Sequence, residues 1–296
     1  MSHQFDDSPL FHSHSHRHHY IPQFLTEGFV NERGMLYVYD KKKDCILRNE
    51  RPPKSVFYEF DRNTITLKKG LTTSIIEDYL FSKIDNDASA IIRQYRDQNL
   101  KEIQFSIDDT AAILFFLINL FWRIPTTEFA ASDLLDRSDI TSLGVDPEIL
   151  RTDPAYRKIL RTGFFKHHID EMRQFGARGG SVINIHSNDY PIFLIGDNPI
   201  VFKRIPTEFS KFGESDFIFP LSVQRIYTST QKPFVLTKQV SLLINAAIID
   251  QAKFHVACFN KDVLEDSLNL YRQFKEKWML YDLAKFLFDQ DENVEL

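Results

Sequence analysis

Phe193-Leu194-Ile195-Gly196-Asp197-Asn198-Pro199 is the stretch on which the reading of this chain turns. An apolar run enters it, a glycine loosens the backbone, and an acid and an amide follow before a proline stops regular pairing. Read as a buried strand ending in an Asp-Asn pair, it sets a sheet in the second half of the chain. It also puts two polar side chains at a strand end, where open α/β sheets hold ligands. Pro199 pushes Asn198 out of the α region towards an extended conformation. The plainer reading is an Asx turn, in which Asp197 bonds the backbone two residues on.

Outward from that stretch the second half reads mostly as strands. Ser181 to His186 and Ile192 to Ile195 flank a hairpin-like connection over 187–191. Ile200 to Arg204, Phe217 to Leu221, Arg225 to Thr228 and Lys253 to Cys258 follow. A helix from about Val240 to Gln251 carries Asn245, with Leu242 three residues before it and Ile249 four after, so the amide shares their buried face. A last amphipathic helix runs roughly from Lys261 to Leu287 and ends in an acidic tail.

The first half reads as mainly helical. Ser74 and Glu77 form a capping box for a long helix whose face carries Ile75, Ile76, Tyr79, Leu80, Ile84 and Ile92. Ser106 and Asp109 cap a second helix, about Ile107 to Arg123, that is apolar nearly all round and therefore central. Arg123 at its end is either a cation favoured by the helix dipole or an anion-holding residue at a pocket mouth. Shorter helices follow between Thr127 and Phe175, and Gly176 to Gly180 is a flexible break. Earlier, Pro22 opens a short helix, and Met35 to Tyr39 with Cys45 to Leu47 reads as a hairpin whose Lys41-Lys42-Lys43 turn is solvated. The fold class expected is α+β, with a helical first half packed on a mixed or antiparallel sheet from the second half. Residues 1–17 are expected to be a disordered His-rich tail, and 18–290 a single domain.

Composition narrows the function classes. The net charge of −5 over 296 residues makes the whole molecule no electrostatic magnet for nucleic acid. Two cysteines cannot build a disulfide framework, which points to a reducing, cytoplasmic setting. No signal-peptide pattern is visible. The longest apolar run, Ala111 to Trp122, falls short of the ~20 residues a bilayer needs. Phosphate loops, glycine-rich dinucleotide turns, nucleophile elbows and paired zinc histidines are absent.

What chemistry remains is scattered: His19 before a proline, Arg123 at a helix end, Asp197-Asn198, and Asn245 on an apolar face. His19-Tyr20-Ile21-Pro22-Gln23-Phe24-Leu25 with Gly28-Phe29 resembles the opening of the family called domain of unknown function 4238. Similar features follow in the family's order: Leu36-Tyr37-Val38-Tyr39-Asp40, Arg123-Ile124-Pro125, Gly196-Asp197-Asn198-Pro199, Phe219-Pro220-Leu221-Ser222 and Asn245. Gly196 stands where the family tends to have Ser. The resemblance spans about residues 18 to 260 and implies positions, not an activity.

Three functions are consistent with these residues. In the first, His19, Asp197, Asn198 and Asn245 converge as catalytic groups, with Arg123 gripping a phosphate or carboxylate. His19 and Asp197 then hold a divalent metal or act as base and orienter. That reading is a metal-assisted phosphodiester hydrolase, a nuclease-like toxin or defence effector with nucleic acid or a nucleotide as partner. In the second, the same groups form a non-catalytic binding module for a small anionic or nucleotide-like ligand. The third is a structural polar junction, in which His19 and Asp197 tie the N-terminal segment to the sheet.

Overall fold

The computed structural model describes residues 16–66, 72–97, 106–128, 146–175, 181–184, 193–203, 216–229 and 236–277, with 283, 287 and 288. The chain opens on β1 (Arg17–His19), turns through Tyr20-Ile21-Pro22 into α1 (Gln23–Thr26), and then forms the expected hairpin from β2 (Tyr37–Asp40) and β3 (Cys45–Ile46). β4 (Tyr58–Phe60) returns antiparallel to β1, and β5 (Ile65–Thr66) pairs with β6 (Thr72–Thr73). Gly28 permits close contact with the second half. A Cβ there would stand 2.8 Å from the Leu221 carbonyl oxygen.

Four helices follow: α2 (Ser82–Asp97), α3 (Ile107–Arg123), α4 (Pro147–Thr152) and α5 (Pro154–Phe175). α3 starts where its cap placed it, with Ser106 Oγ accepting the Asp109 N–H at 3.0 Å. It is the central helix. Phe116 lies between the rings of Phe24 and Phe219, at centroid distances of 5.6 and 6.4 Å. The face expected for the preceding helix needs correction. A π-helical turn over Ile76–Phe81 precedes α2, and its wider turn shifts the phase of the side chains. Ile75 and Tyr79 are consequently 39% and 56% exposed, while Ile76, Phe81, Ile84, Ala88 and Ile92 are buried. The capping box is not formed either. The Ser74 hydroxyl bonds Asp78, and the Glu77 carboxylate is taken by Asn63 and Arg123.

The second half supplies β7 (Ser181–Asn184), β8 (Ile195–Gly196), β9 (Val201–Phe202), β10 (Phe217–Ser222), β11 (Arg225–Thr228), α6 (Lys238–Gln251), β12 (His255–Cys258) and α7 (Lys261–Glu276). The class is α+β with antiparallel sheets, as expected. The strands do not form one sheet, however. They form two four-stranded ones, ordered β7-β11-β10-β9 and β3-β2-β12-β8. β7 and β8 thus lie in different sheets and make no hairpin, although the connection between them falls outside the described residues. The first-half hairpin supplies half of the second sheet. β2 pairs β12 from Tyr37↔Cys258 to Asp40↔His255, a contact between distant segments that no local pattern announces.

Lys41 departs from the solvated turn. Its Nζ donates to the carbonyls of Ile249, Asp250 and Ala252 at 2.8, 2.6 and 2.8 Å. These lie at the C-terminal end of α6, where carbonyls lack helical partners and a cation is favoured. One hydrophobic cluster runs from Tyr20 to Phe288 and joins the helices to both large sheets. Among the described residues no helix is long and apolar enough to cross a membrane. The histidine-rich tract over 1–15 and the glycine break over 176–180 lie outside the described residues.

Candidate functional site

β8 delivers Asp197 to a fully buried position. Its Oδ1 accepts the Lys253 N–H at 2.7 Å, and its Oδ2 accepts those of Phe254 and His255 at 2.6 and 3.0 Å. The carboxylate thus organises the backbone between α6 and β12. Burial pushes its pKa up, and the three amides pull against that shift. Asn198 is half-buried and contributes its main-chain oxygen, which accepts from Gln251 Nε2 at 2.7 Å. Asn245 is fully buried, accepting the Leu194 N–H at 3.1 Å through Oδ1 and donating through Nδ2 to Ser267 Oγ at 3.1 Å. It joins α6 and α7 to the segment entering β8. At Gly196 a Cβ would lie 2.9 Å from Ile248 Cγ2, so a serine there requires Ile248 to move.

A second polar centre gathers around Arg123. Its Nη1 makes a two-pronged bond to Asp85, at 2.9 and 2.8 Å, and its Nη2 lies 3.4 Å from Glu77 Oε1. The guanidinium also stacks 4.8 Å from the Phe81 ring centroid. Burial nevertheless raises the Asp85 pKa, with Arg123 opposing. The Arg123 carbonyl accepts Arg62 Nε at 3.0 Å, and Arg62 Nη1 reaches Glu59 and Glu128 at 2.6 and 2.9 Å. Beside Arg62, Asn63 receives Arg161 Nη2 at 2.5 Å and gives its own amide to Glu77 at 2.7 Å. Lys158 stands at the edge, donating to the carbonyls of Thr64 and Asp61 at 2.6 and 3.1 Å.

These arginines are not fully satisfied. Arg62 Nη2 and Arg123 Nε are buried without a hydrogen-bond partner. Arg161 is 8% exposed and forms no ion pair with a carboxylate among the described residues. Burial, and next the charge of Arg62, pull its pKa down to about 10. A guanidinium in that state is an unusual and costly group. Arg161 is therefore a buried cation that touches no carboxylate among the described residues, although the charges of Glu128 and Glu59 reach it.

The ribbon of β1 and β4 divides its side chains between two environments. His18 and Glu59 are a cross-strand pair, with His18 Nδ1 accepting the Asn63 N–H at 2.9 Å and Glu59 pairing with Arg62. His19, paired with Tyr58, approaches the carbonyl of Lys54 at 3.3 Å through Nε2. Burial lowers its pKa, and Arg123 acts in the same sense. His19 and Arg123 are thus brought within electrostatic reach. Asp197 belongs to a separate centre, and Tyr20 lies between: burial first, then Asp197 and Glu59, raise its phenol well above the ordinary value while Arg62 opposes.

No group of three or more His, Cys, Asp or Glu that could hold a metal ion occurs among the described residues. Arg62, Asn63 and Arg161 were not singled out from the sequence. Arg161 sits on a helix with charges on many sides, so periodicity gives no mark. The one available signal was Arg62-Asn63-Thr64, a polar triplet directly after a short extended segment. The family model described as protein of unknown function (DUF4238) matches residues 17–262. Neither the curated proteins nor the solved structures give a match.

Proposed function

The chain belongs to the DUF4238 family, and on that footing we propose that it is a binding module for a small anion of the phosphate class, held by Arg161 and Arg62. The observation that carries this reading is Arg161, a buried guanidinium whose hydrogen-bond partner among the described residues is one amide oxygen and no carboxylate. Its planar fork suits two oxygens of a phosphate or carboxylate. Arg62 Nη2 offers a further buried donor, and Lys158 adds charge at the rim. A bound anion would give Arg161 the directly bonded anionic partner that the described side chains do not.

Thermal melting in inorganic phosphate and in pyrophosphate, against chloride at equal ionic strength, tests the proposal. A ligand at a hundred times its Kd stabilises by about 2.7 kcal/mol. The parent is expected to melt higher in one of the two anions, and Arg161→Gln is expected to lose that increment. Equal melting of the parent in phosphate, pyrophosphate and chloride would overturn the reading.

One observation favours a catalytic version of the same site. His19 is held towards its neutral form beside Arg123, which is the state a general base needs. In that version His19 activates water against a phosphodiester positioned by the arginines. Release of nitrophenol from a chromogenic phosphodiester, with and without added divalent metal, is the assay. Turnover that His19→Ala abolishes supports hydrolysis, and its absence in the parent refutes it.

A further inference from the structure

Apart from His19, the outer face of the β1–β4 ribbon has no role in the site so far described. Direct pairing of Arg17 with Phe60 and of His19 with Tyr58 puts four side chains on one face, opposite to His18 and Glu59. Tyr58 and Phe60 meet edge to face at 5.5 Å, and His19 lies 5.6 Å from Tyr58. The Arg17 guanidinium stands 5.2 Å from the Tyr58 centroid and 5.8 Å from that of Phe60. Phe60 is 64% exposed, the most exposed of the large apolar side chains described. This is a small platform of rings topped by a cation.

The same strand reaches the arginine centre within two residues. β4 is bracketed by two non-glycine residues in the left-handed region, Phe57 at φ 55° and Asp61 at φ 52°. A bulky aromatic residue rarely adopts that conformation, and such outliers concentrate at functional sites. The Asp61 turn leads from Phe60 directly to the buried guanidinium of Arg62, with Lys158 bonded to the carbonyls at both ends of the turn. Rings and phosphate-binding donors are therefore neighbours across one tight turn.

We infer that the anion of this site is a nucleoside phosphate, its base stacked on the exposed Phe60 ring with the perpendicular Tyr58 ring at its edge, and its phosphate carried round the Asp61 turn to Arg62 and Arg161. The inference rests on the anion-binding reading given above. Every nucleobase has a π-face, so ring stacking gives affinity without choosing among bases. Arg17 adds a planar cation that can stack on the same base. Inorganic phosphate can use only the arginine half of such a site.

Calorimetric titration of the full chain with inorganic phosphate, adenosine 5′-monophosphate, uridine 5′-monophosphate and adenosine tests this. Both nucleotides are expected to bind at least about tenfold more tightly than phosphate, the scale of one stacked base. Phe60→Leu and Tyr58→Leu are expected to return the nucleotides to the phosphate level and to leave phosphate affinity unchanged. Phe60 is mostly exposed, so its variant should fold, which the unchanged phosphate affinity itself reports. Equal affinity of phosphate and nucleotides in the parent would overturn the inference and leave the anion reading standing. Adenosine binding as tightly as its monophosphate, or no binding by any of the four, would overturn both.

Discussion

Replacing Asp197 by Asn separates the structural role of this carboxylate from a part in ligand binding. The parent side chain accepts three main-chain N–H groups, one at Oδ1 and two at Oδ2. An asparagine can keep its oxygen towards Phe254 and His255, but its NH2 then faces the Lys253 N–H, donor against donor. Hydrogen bonds to a charged group are worth about 1.5–3 kcal/mol, and an unsatisfied buried donor costs about 1–3. The two retained bonds also weaken on becoming neutral. Burial raises the carboxyl pKa, so removing the charge recovers part of its desolvation cost. The net loss expected is about 2–3 kcal/mol, and Asp197→Ala, which forfeits all three bonds, should lose more. Urea unfolding with linear extrapolation reads this as a lower midpoint at unchanged slope. Phosphate affinity should be unaltered, because Asp197 lies in the other polar centre. An Asp197→Asn variant within about 0.5 kcal/mol of the parent, the scatter of ordinary surface changes, would show that this carboxylate does not hold the start of β12.

Two further outcomes are expected. Burial lowers the His19 pKa from 6.5, so the unfolded chain takes the proton first as pH falls. Stability associated with His19 is then full above about pH 6.5 and lost as pH drops through the folded value. His255 acts in the same direction. His19→Gln should flatten, without abolishing, the fall in urea midpoint between pH 7.5 and 5.5, and a slope identical to the parent's would contradict this. Cys258 is fully buried with its thiol pushed up to about 12, whereas Cys45 is exposed. A thiol reagent at pH 8 should label Cys45 alone in the native protein and both residues after denaturation. Equal native labelling rates would refute the placement of Cys258.

What was legible in the sequence is what local chemistry encodes. The cap at Ser106 and the apolar run behind it gave α3 to the residue, and Arg225 to Thr228 is β11 as read. Asn245 was placed on a buried face needing partners, and Leu194 and Ser267 are those partners. The misreadings share a cause. A π turn moves the face of α2 without changing its composition, and Lys41 finds three carbonyls more than two hundred residues away. The division into two sheets rests on β12 choosing β2 and β8, which alternation within each strand cannot tell. At the candidate site, Arg123 stood out at the end of an apolar helix and His19 as a histidine ahead of a proline. Arg161 did not, since a charged residue on a charged helix is ordinarily solvated.

The spacing of the opening His18-His19-Tyr20-Ile21-Pro22 connects the two polar centres. Strand alternation turns His18 inward to the Asn63 N–H and leaves His19 on the face of Tyr58. The Tyr20 N–H then bonds the Phe57 carbonyl at 3.0 Å, which fixes the end of the ribbon where Phe57 is left-handed. Tyr20 and Ile21 are buried, and Pro22 starts α1. A slip of one residue would exchange the two histidines between faces. It would bring the wrong ring to Asn63 and so disturb the residue that receives Arg161. The Tyr20 phenol, set between the Asp197 and Glu59 carboxylates and Arg62, would leave the core in the same step. Register at this one short ribbon therefore governs both the guanidinium left open at Arg161 and the packing beside Asp197, although neither residue belongs to the ribbon.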